Sequence, residues 1–495
     1  MALINVTNLT FAYDGSYNNI FEDVSFAIDT DWKLGFVGRN GRGKTTFLKL
    51  LTGEYEYTGT ITKPEAPVGF DYFPVVVKDK TRESWETMYD ICPELELWQL
   101  QKEISQLDMD EELLYRPFRT LSSGEQTKML LAGLFMHDSR FLLIDEPTNH
   151  LDIAARETVK QYLNRKKGFI LVSHDRAFLD GCVDHILSIN KKDIEVVRGN
   201  FSTWWQNKEN RDNMEREQDR ALKKDISRLT EAAKRTEVWS DRAEKTKYNT
   251  FSGGLKLDRG YVGAKSAKMM KRAKVTEKRA MDAAGEKAKL LKNVETQETL
   301  KIFPLAHHSG RLFSLRDAAL YYDSRQVCGG VNFEVLRGER VALRGKNGSG
   351  KSSVLKLIIG EEIEHTGTVD IASGLRISYV PQDTSGLSGA MRDYAAKLNI
   401  DETQFFTILR KMDFSRVQLE KDMAEHSSGQ KKKILIAASL SQQAHLYIWD
   451  EPLNFIDILS RMQIEELVLQ YEPSMIFVEH DKVFCDKVTT KIVEL

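Results

Sequence analysis

Two glycine-rich stretches carry the first recognisable chemistry. Gly38-Arg39-Asn40-Gly41-Arg42-Gly43-Lys44-Thr45-Thr46 and Gly345-Lys346-Asn347-Gly348-Ser349-Gly350-Lys351-Ser352-Ser353 both fit GxxxxGK[ST]. Glycines at this spacing let backbone N–H groups converge on phosphate oxygens, and a helix beginning at the lysine adds positive potential. Lys44 and Lys351 would reach the terminal phosphates of a nucleotide, and Thr45 and Ser352 would offer hydroxyls to Mg²⁺. Further on, Asp145-Glu146 and Asp450-Glu451 each close an apolar run. The aspartate there can hold Mg²⁺ or its waters, and the glutamate can polarise an attacking water. His174 and His480 close two other apolar runs and can sense a terminal phosphate. A lone histidine at such a place is an ordinary polar residue. In step with Asp-Glu at matched spacing, it reads as catalytic.

Those residues belong to an internal repeat. From first copy to second the offset is 307 for Lys44 to Lys351, 305 for Asp145 to Asp450 and 306 for His174 to His480. SSGEQ at Ser122–Gln126 recurs as SSGQK at Ser427–Lys431, with Gly124 to Gly429 at 305. Nearly constant offsets over four motifs predict two copies of one domain, residues 1–200 and 303–495. The elements that position the motifs follow from local pattern. Trp32–Val37 reads as a strand ending in the first glycine loop, and Thr45–Leu51 begins a helix. Phe141–Ile144, Phe169–Val172 and Met475–Val478 read as buried strands that deliver Asp145, His174 and His480. Strands alternating with helices predict an α/β domain with a mainly parallel sheet in each copy.

The chain has 495 residues, of which 41% are apolar and 29% charged. That suits a soluble protein of about three domains and argues against disorder. No run approaches the ~18 apolar residues of a membrane helix. The N-terminus reads as a first strand and not as a secretory signal. The four cysteines lie far apart, which argues against zinc or disulfide frameworks and for a reducing cytosol. The net charge of −2 conceals a basic middle: residues 206–301 hold 25 Lys+Arg against 16 Asp+Glu, and 242–279 hold 12 against 3. A basic segment on an acidic protein predicts a polyanionic partner. Within 201–302, Leu222, Ile226, Leu229, Ala233 and Thr236 follow 4-3 spacing, as do Met269, Ala273, Thr276, Ala280 and Ala283. Two such helices about a glycine-containing stretch, Phe251–Gly263, predict an antiparallel hairpin with arms of about 35 residues, reaching about 50 Å. At its tip Phe251, Leu255, Leu257, Tyr261 and Val262 sit among glycines, which predicts an exposed contact surface. Lys265, Lys268, Lys271, Arg272 and Lys274 flank it.

SSGEQ, DEPTNHLD and SHD together resemble the ATP-binding-cassette (ABC) ATPases. The resemblance implies ATP and Mg²⁺ as cofactors, with the serine-glycine signature of one cassette capping the nucleotide of the other. Carried over by position, Ser427, Ser428, Gly429 and Gln430 would cap the nucleotide held by Gly38, Asn40, Gly41, Gly43, Lys44, Thr45 and Thr46. Ser122, Ser123, Gly124 and Glu125 would cap that held by Gly345, Asn347, Gly348, Gly350, Lys351, Ser352 and Ser353. Tyr13 and Tyr322 occupy the places of adenine-stacking rings, and Gln382 that of a loop glutamine offered to Mg²⁺ beside Asp450. Three departures stand out. Ser123 and Ser428 replace a second signature glycine, Gln430 replaces the glutamate found at Glu125, and Val75 replaces the loop glutamine of the first copy. The last predicts a weaker or slower site at Lys44.

Two cassettes in one chain, a basic helical hairpin and no membrane span resemble the ABC-F proteins. The segment between Leu51 and Leu121 is too short for the extra arm of the housekeeping members. The chain therefore resembles most the antibiotic-resistance ABC-F proteins of the Lsa/Vga kind. That implies a cytoplasmic, ribosome-associated monomer with intramolecular cassette pairing. It would enter the tRNA exit site, touch 23S rRNA and tRNA, and protect the peptidyl transferase centre from lincosamides, pleuromutilins and streptogramin A. Hydrolysis would drive its release. The rival readings are a housekeeping ABC-F translation factor, the ATPase subunit of a transporter and a DNA-maintenance ATPase.

Overall fold

The computed structural model describes residues 3–13, 19–62, 69–137, 140–149, 151–189, 194–246, 259–290, 299–322, 325–346 and 348–495. In the first repeat the order is β1 (Leu3–Phe11), β2 (Phe21–Asp29), β3 (Lys33–Val37), α1 (Lys44–Thr52), β4 (Thr58–Thr62), β5 (Gly69–Phe73), α2 (Ser84–Ile91), α3 (Leu97–Gln106), α4 (Ser123–Leu134), β6 (Arg140–Asp145), α5 (Ile153–Arg165), β7 (Phe169–Val172), α6 (Arg176–Cys182), β8 (His185–Ile189) and β9 (Ile194–Arg198). Two long helices follow, α7 (Phe201–Thr246) and α8 (Arg259–Leu290). The second repeat runs β10 (Arg311–Tyr322), β11 (Arg325–Leu336), β12 (Arg340–Arg344), α9 (Lys351–Ile358), β13 (Glu364–Ile371), β14 (Ile377–Val380), α10 (Met391–Lys397), α11 (Glu402–Lys411), α12 (Arg416–Glu420), α13 (Ser428–Ser441), β15 (Leu446–Asp450), α14 (Ile458–Tyr471), β16 (Met475–Val478), α15 (Lys482–Val488) and β17 (Lys491–Glu494).

Each repeat builds a largely parallel sheet, in the orders β5-β6-β7-β3-β8-β9 and β14-β15-β16-β12-β17. The central strands are unbroken apolar runs because helices cover both faces of a parallel sheet. Phe36, Leu143, Ile144, Ile170 and Leu171 are fully buried, as are Ile448, Trp449, Ile476 and Phe477. The register brings the chemistry to one edge. Asp145 pairs with Val172, two residues before His174, and Asp450 pairs with Val478, two residues before His480. Ligands of open α/β sheets bind outside the carboxyl ends of the strands, where all four residues lie.

The strands expected at Phe169–Val172 and Met475–Val478 form over those residues, and the first-loop helix is one residue longer at each end than expected. Two features differ from the sequence reading. A three-stranded antiparallel sheet accompanies each parallel one, β2-β1-β4 and β11-β10-β13. The segment Phe251–Gly263 is also not all loop, since α8 begins at Arg259 and takes in Gly260 and Gly263. A glycine inside a helix costs only about 1 kcal/mol relative to alanine, which a 32-residue helix absorbs.

The chain divides into two units. Both repeats fall in one, made of Met1–Ile189, Asp193–Ser202 and Gln297–Leu495. The other contains Asn190–Lys192 and Thr203–Thr296. On α8 Ala273 is buried and Met269, Met270 and Thr276 are half-buried; Met269, Ala273 and Thr276 fall on the expected 4-3 face.

Candidate nucleotide sites

The two glycine loops close in the same way. Gly43 and Gly350 both have φ of 91° at the start of the following helix. A Cβ on Gly43 would lie 2.5 Å from Ile20 Cγ2, so the left-handed turn and the close packing both demand glycine. Lys44 Nζ donates to the carbonyls of Gly38 (2.7 Å) and Arg39 (3.2 Å). Lys351 Nζ donates to those of Gly345 (3.0 Å) and Lys346 (2.8 Å). The ammonium groups are thus curled within their loops. Burial lowers the pKa of both, opposed at Lys44 by Asp457, Glu146 and Asp145 and at Lys351 by Glu451, Asp450 and Asp152.

Beside the first loop, Thr45 Oγ1 donates to Asp145 Oδ2 at 2.8 Å and Tyr72 Oη donates to the same oxygen at 3.0 Å. Glu146 follows in the left-handed region at φ 53°, its N–H held by the Val172 carbonyl at 2.9 Å. His174 Nε2 approaches Glu146 Oε1 to 3.2 Å, yet both carboxylate oxygens are buried without a hydrogen bond. Burial, then the adjacent Asp145, pushes the Glu146 carboxyl up to about 8. Burial with the cations Lys44 and Arg461 drives His174 well below the usual imidazole range. Tyr13, 42% exposed, gives its hydroxyl to a 2.8 Å bond with Thr46 Oγ1, leaving ring surface accessible beside the loop helix.

The second site repeats this plan with different furniture. Ser352 bonds the buried Asp450, whose Oδ1 has no partner. Glu451 is again left-handed, at φ 47°, with its N–H on the Val478 carbonyl at 3.0 Å. Asn454 Nδ2 donates to Glu451 Oε2 at 2.5 Å, and His480 Nε2 lies 3.6 Å from Oε1. Burial works upward on Glu451, but His480 and the Gln382 amide outweigh it and hold the carboxyl below its usual value. Tyr322 is 43% exposed, as accessible as Tyr13.

The cassettes complete each other's sites. A cleft of about 290 Å³ is lined by Gly348, Gly350, Lys351, Ser352, Gln382, Glu451 and His480 of the second cassette and by Ser123, Asn149 and Leu151 of the first. At the first site Asn40 Nδ2 donates to the Phe455 carbonyl at 2.7 Å. Gly429 packs so closely against Asn40 and Phe455 that a Cβ there would stand 2.3 Å from the Phe455 oxygen. Arg156 spans the cassettes, donating to Asp175 Oδ2 (3.1 Å) and to the His480 carbonyl (3.0 Å). Arg39 and Arg42 face Asp413 of the second cassette at 3.7 and 3.5 Å.

The Ser-Ser-Gly signatures have a local logic that the sequence reading missed. Ser122 and Ser427 cap α4 and α13, and the side chains of Glu125 and Gln430 return to the backbone N–H of their caps at 2.7 and 3.2 Å. Both are capping boxes, legible as S-x-x-E/Q. Gln accepts the same bond as Glu, so Gln430 is a conservative exchange. Ser123 and Ser428 are the first helical residues, where a Cβ is ordinary. The unusual backbone of Glu146 and Glu451 leaves no mark in the sequence. Asn347 and the tip residues Phe251, Leu255 and Leu257 lie outside the described residues. Tyr261 is 69% exposed, and Lys268, Lys271 and Arg272 are exposed on α8.

Hydroxyl, carboxylate and amide oxygens at Thr45, Asp145, Ser352, Asp450 and Gln382 form a hard donor set. With the orphan oxygen of Asp450, they fit Mg²⁺, which takes one or two protein ligands and fills its shell with phosphates and water. When bound, the metal would supply charge neutralisation on phosphate oxygens.

Glycine loops at strand ends, paired Asp-Glu strands and cassettes that complete each other's clefts define a tandem ATP-binding-cassette ATPase. The family profile described as ABC transporter matches residues 21–149 and 328–454. Among curated proteins the chain is 27% identical to the ribosome protection protein VmlR of Bacillus subtilis (strain 168), over 98% of this chain and 85% of that one. It is 26% identical to ABC transporter F family member 2 of Arabidopsis thaliana, over 99% and 76%. The fold also matches an archaeal ribosome recycling factor, aABCE1, solved with stalk protein aP1, with TM-score 0.62, 18% identity and coverage of 98% and 87%. The chain belongs to the ABC family, and a member of the ABC-F group is among the relatives it resembles. Among the described residues no helix is long and apolar enough to cross a membrane.

Proposed function

We propose that this ATPase is a ribosome protection factor. In this reading residues 1–200 and 303–495 are the nucleotide-binding domains, and 201–302 form a hairpin linker whose tip, about 242–279, contacts the ribosome. ATP and Mg²⁺ close the cassettes of a cytoplasmic monomer. The linker enters the tRNA exit site, touches 23S rRNA and tRNA near the peptidyl site, and protects the peptidyl transferase centre from lincosamides, pleuromutilins and streptogramin A. Hydrolysis releases it. The carrying observation is the basic α8 flank, Lys268, Lys271 and Arg272, exposed on a 32-residue helix that falls between the two cassettes in the sequence. Similarity to a ribosome protection protein over 98% of this chain and 85% of that one supports the particular role. A housekeeping translation factor of the same family would share the ribosome but not the drug phenotype.

The test combines binding and susceptibility. Lys268→Glu/Lys271→Glu/Arg272→Glu is expected to weaken ribosome co-sedimentation and to flatten its salt dependence by roughly one to three counterions' worth of slope, with basal ATPase little changed. Phe251→Ala, Leu257→Ala and Tyr261→Ala are expected to lower drug resistance at normal expression and ATPase. Sedimentation with membranes instead of ribosomes would sink the proposal. Ribosome binding without any drug phenotype would leave the housekeeping role.

A further inference from the structure

Superposing the repeats by number exposes a charge difference in their cores. Position 432 corresponds to Thr127 in the first cassette, 479 to Ser173 and 453 to Thr148. In the first cassette these are hydroxyls: Thr148 Oγ1 and Ser173 Oγ share a bond at 3.3 Å, and Ser173 Oγ accepts from Asp175 N at 3.2 Å. The second cassette has Lys432, Glu479 and Leu453 instead. Lys432 is 1% exposed and Glu479 4%. A buried ion costs several kcal/mol unless it is compensated, so such a pair has to be satisfied.

It is satisfied by backbone groups adjoining the reacting side chains. Lys432 Nζ donates to the Pro381 carbonyl (2.7 Å), one residue before Gln382, and to the Asp450 carbonyl (3.2 Å), one residue before Glu451. Glu479 Oε2 accepts from the His480 N–H (3.0 Å), and its Oε1 accepts from the Leu453 N–H at 2.6 Å. The carboxylates Glu479, Asp450, Glu451 and Asp383 face the ammonium, and Arg461, Asp481 and His480 face Glu479.

We infer that Lys432 and Glu479 are positioning residues of the second nucleotide site, fixing the backbone from which Gln382, Glu451 and His480 project toward the nucleotide. Neither side chain reaches the cleft lining, so both act through others. The inference rests on Glu146 and Glu451 being the hydrolytic groups of their sites, as the site geometry suggests. It goes further in assigning the second site a support that the first lacks.

The experiment uses the full chain in two backgrounds. Glu146→Gln leaves only the second site turning over, and Glu451→Gln only the first. Single-turnover hydrolysis, ATP affinity and thermal unfolding are measured in each. Lys432→Thr and Glu479→Ser, which install the first cassette's residues, are expected to slow the second site about tenfold or more, since small misplacements of reacting groups cost that much. ATP affinity should stay within about threefold, a kcat effect without a KM effect. The first site should change several-fold less than the second, because Lys432 and Glu479 bond only backbone of the second cassette, Arg461 being the one charge that faces both Glu479 and His174. The charge-neutral double variant should recover thermal stability while the second site stays slow. If a single variant fails to fold, this double variant carries the test. Equal slowing in both backgrounds, or none in either, would overturn the inference. Wild-type turnover in both Gln backgrounds would instead overturn the assignment of the glutamates, which is a separate result.

Discussion

The first and second nucleotide sites have the same lysine, Asp-Glu pair and histidine on the same strand ends, yet their carboxylates stand in opposite electrostatic situations. Glu146 is buried without a hydrogen bond and its carboxyl is pushed up to about 8. Glu451 is held low by His480 and Gln382 and accepts a bond from Asn454. The motifs are therefore not what distinguishes the sites. The difference comes in part from unremarkable neighbours: Gln382 and Lys432 act on Glu451, where the first copy has Val75 and Thr127. It teaches that a repeat can keep its reacting groups and still specialise, through the residues that hydrogen-bond or desolvate them.

The comparison breaks most directly at the glutamates. Glu451→Gln should reduce steady-state ATP hydrolysis by on the order of 100-fold, the typical scale for removing a general base. Glu146→Gln alone should reduce it by less than about twofold, because the first site contributes the smaller share. The double variant should still bind ATP and stay closed. Equal single-variant losses, measured by phosphate release at saturating ATP, would mean that the different surroundings have no kinetic consequence.

A smaller effect is expected from restoring symmetry. Val75 lies three residues after Tyr72, as Gln382 lies three after Tyr379. Val75→Gln supplies the first site with an amide oxygen for Mg²⁺ and an amide N–H for Glu146. In the Glu451→Gln background it should speed hydrolysis several-fold and lower the Mg²⁺ concentration needed for half-maximal rate by about as much, since one oxygen ligand is gained. An unchanged Mg²⁺ dependence would show that Tyr72, bound to Asp145 at 3.0 Å, already closes that position.

Much of this was legible in the sequence because the signals were local. Glycine loops, apolar strands and Asp-Glu pairs report their own short neighbourhoods, and the repeat offset arranged them in order. The antiparallel sheets were harder: β1 and β2 alternate buried and exposed residues only imperfectly, with register shifts along the pair. The left-handed backbone at Glu146 and Glu451 has no sequence signature, since its cost, about 1–2 kcal/mol, is met by tertiary structure. The roles of Lys432 and Arg156 were equally invisible. Each depends on atoms eighteen or more residues away, and Arg156 reaches a carbonyl 324 residues on.

The smallest expected effect concerns the clamp over the first loop. Arg39 and Arg42 both face Asp413 of the opposite cassette, but the second loop has Lys346 and Ser349 at those places. Arg42 thus adds one charge that the second site lacks. Its side chain is 27% exposed and that of Asp413 38%, so solvent screens the pair, and at 3.5 Å it is an ion pair of ordinary length. Exposed pairs contribute about 0.2–1 kcal/mol, which corresponds to less than about fivefold in a rate or affinity. Arg42→Ser should therefore speed release of a fluorescent ATP analogue from the first site by about two- to fivefold, measured with Lys351→Ala to silence the second. The difference from wild type should shrink as salt rises, because screening weakens the pair already present. Arg39, buried under the same contact, keeps most of the clamp, so the effect should not grow beyond that range. A salt-independent loss, or one appearing equally at the second site, would show that Arg42 shapes the loop itself and that the clamp is no part of what separates the two sites.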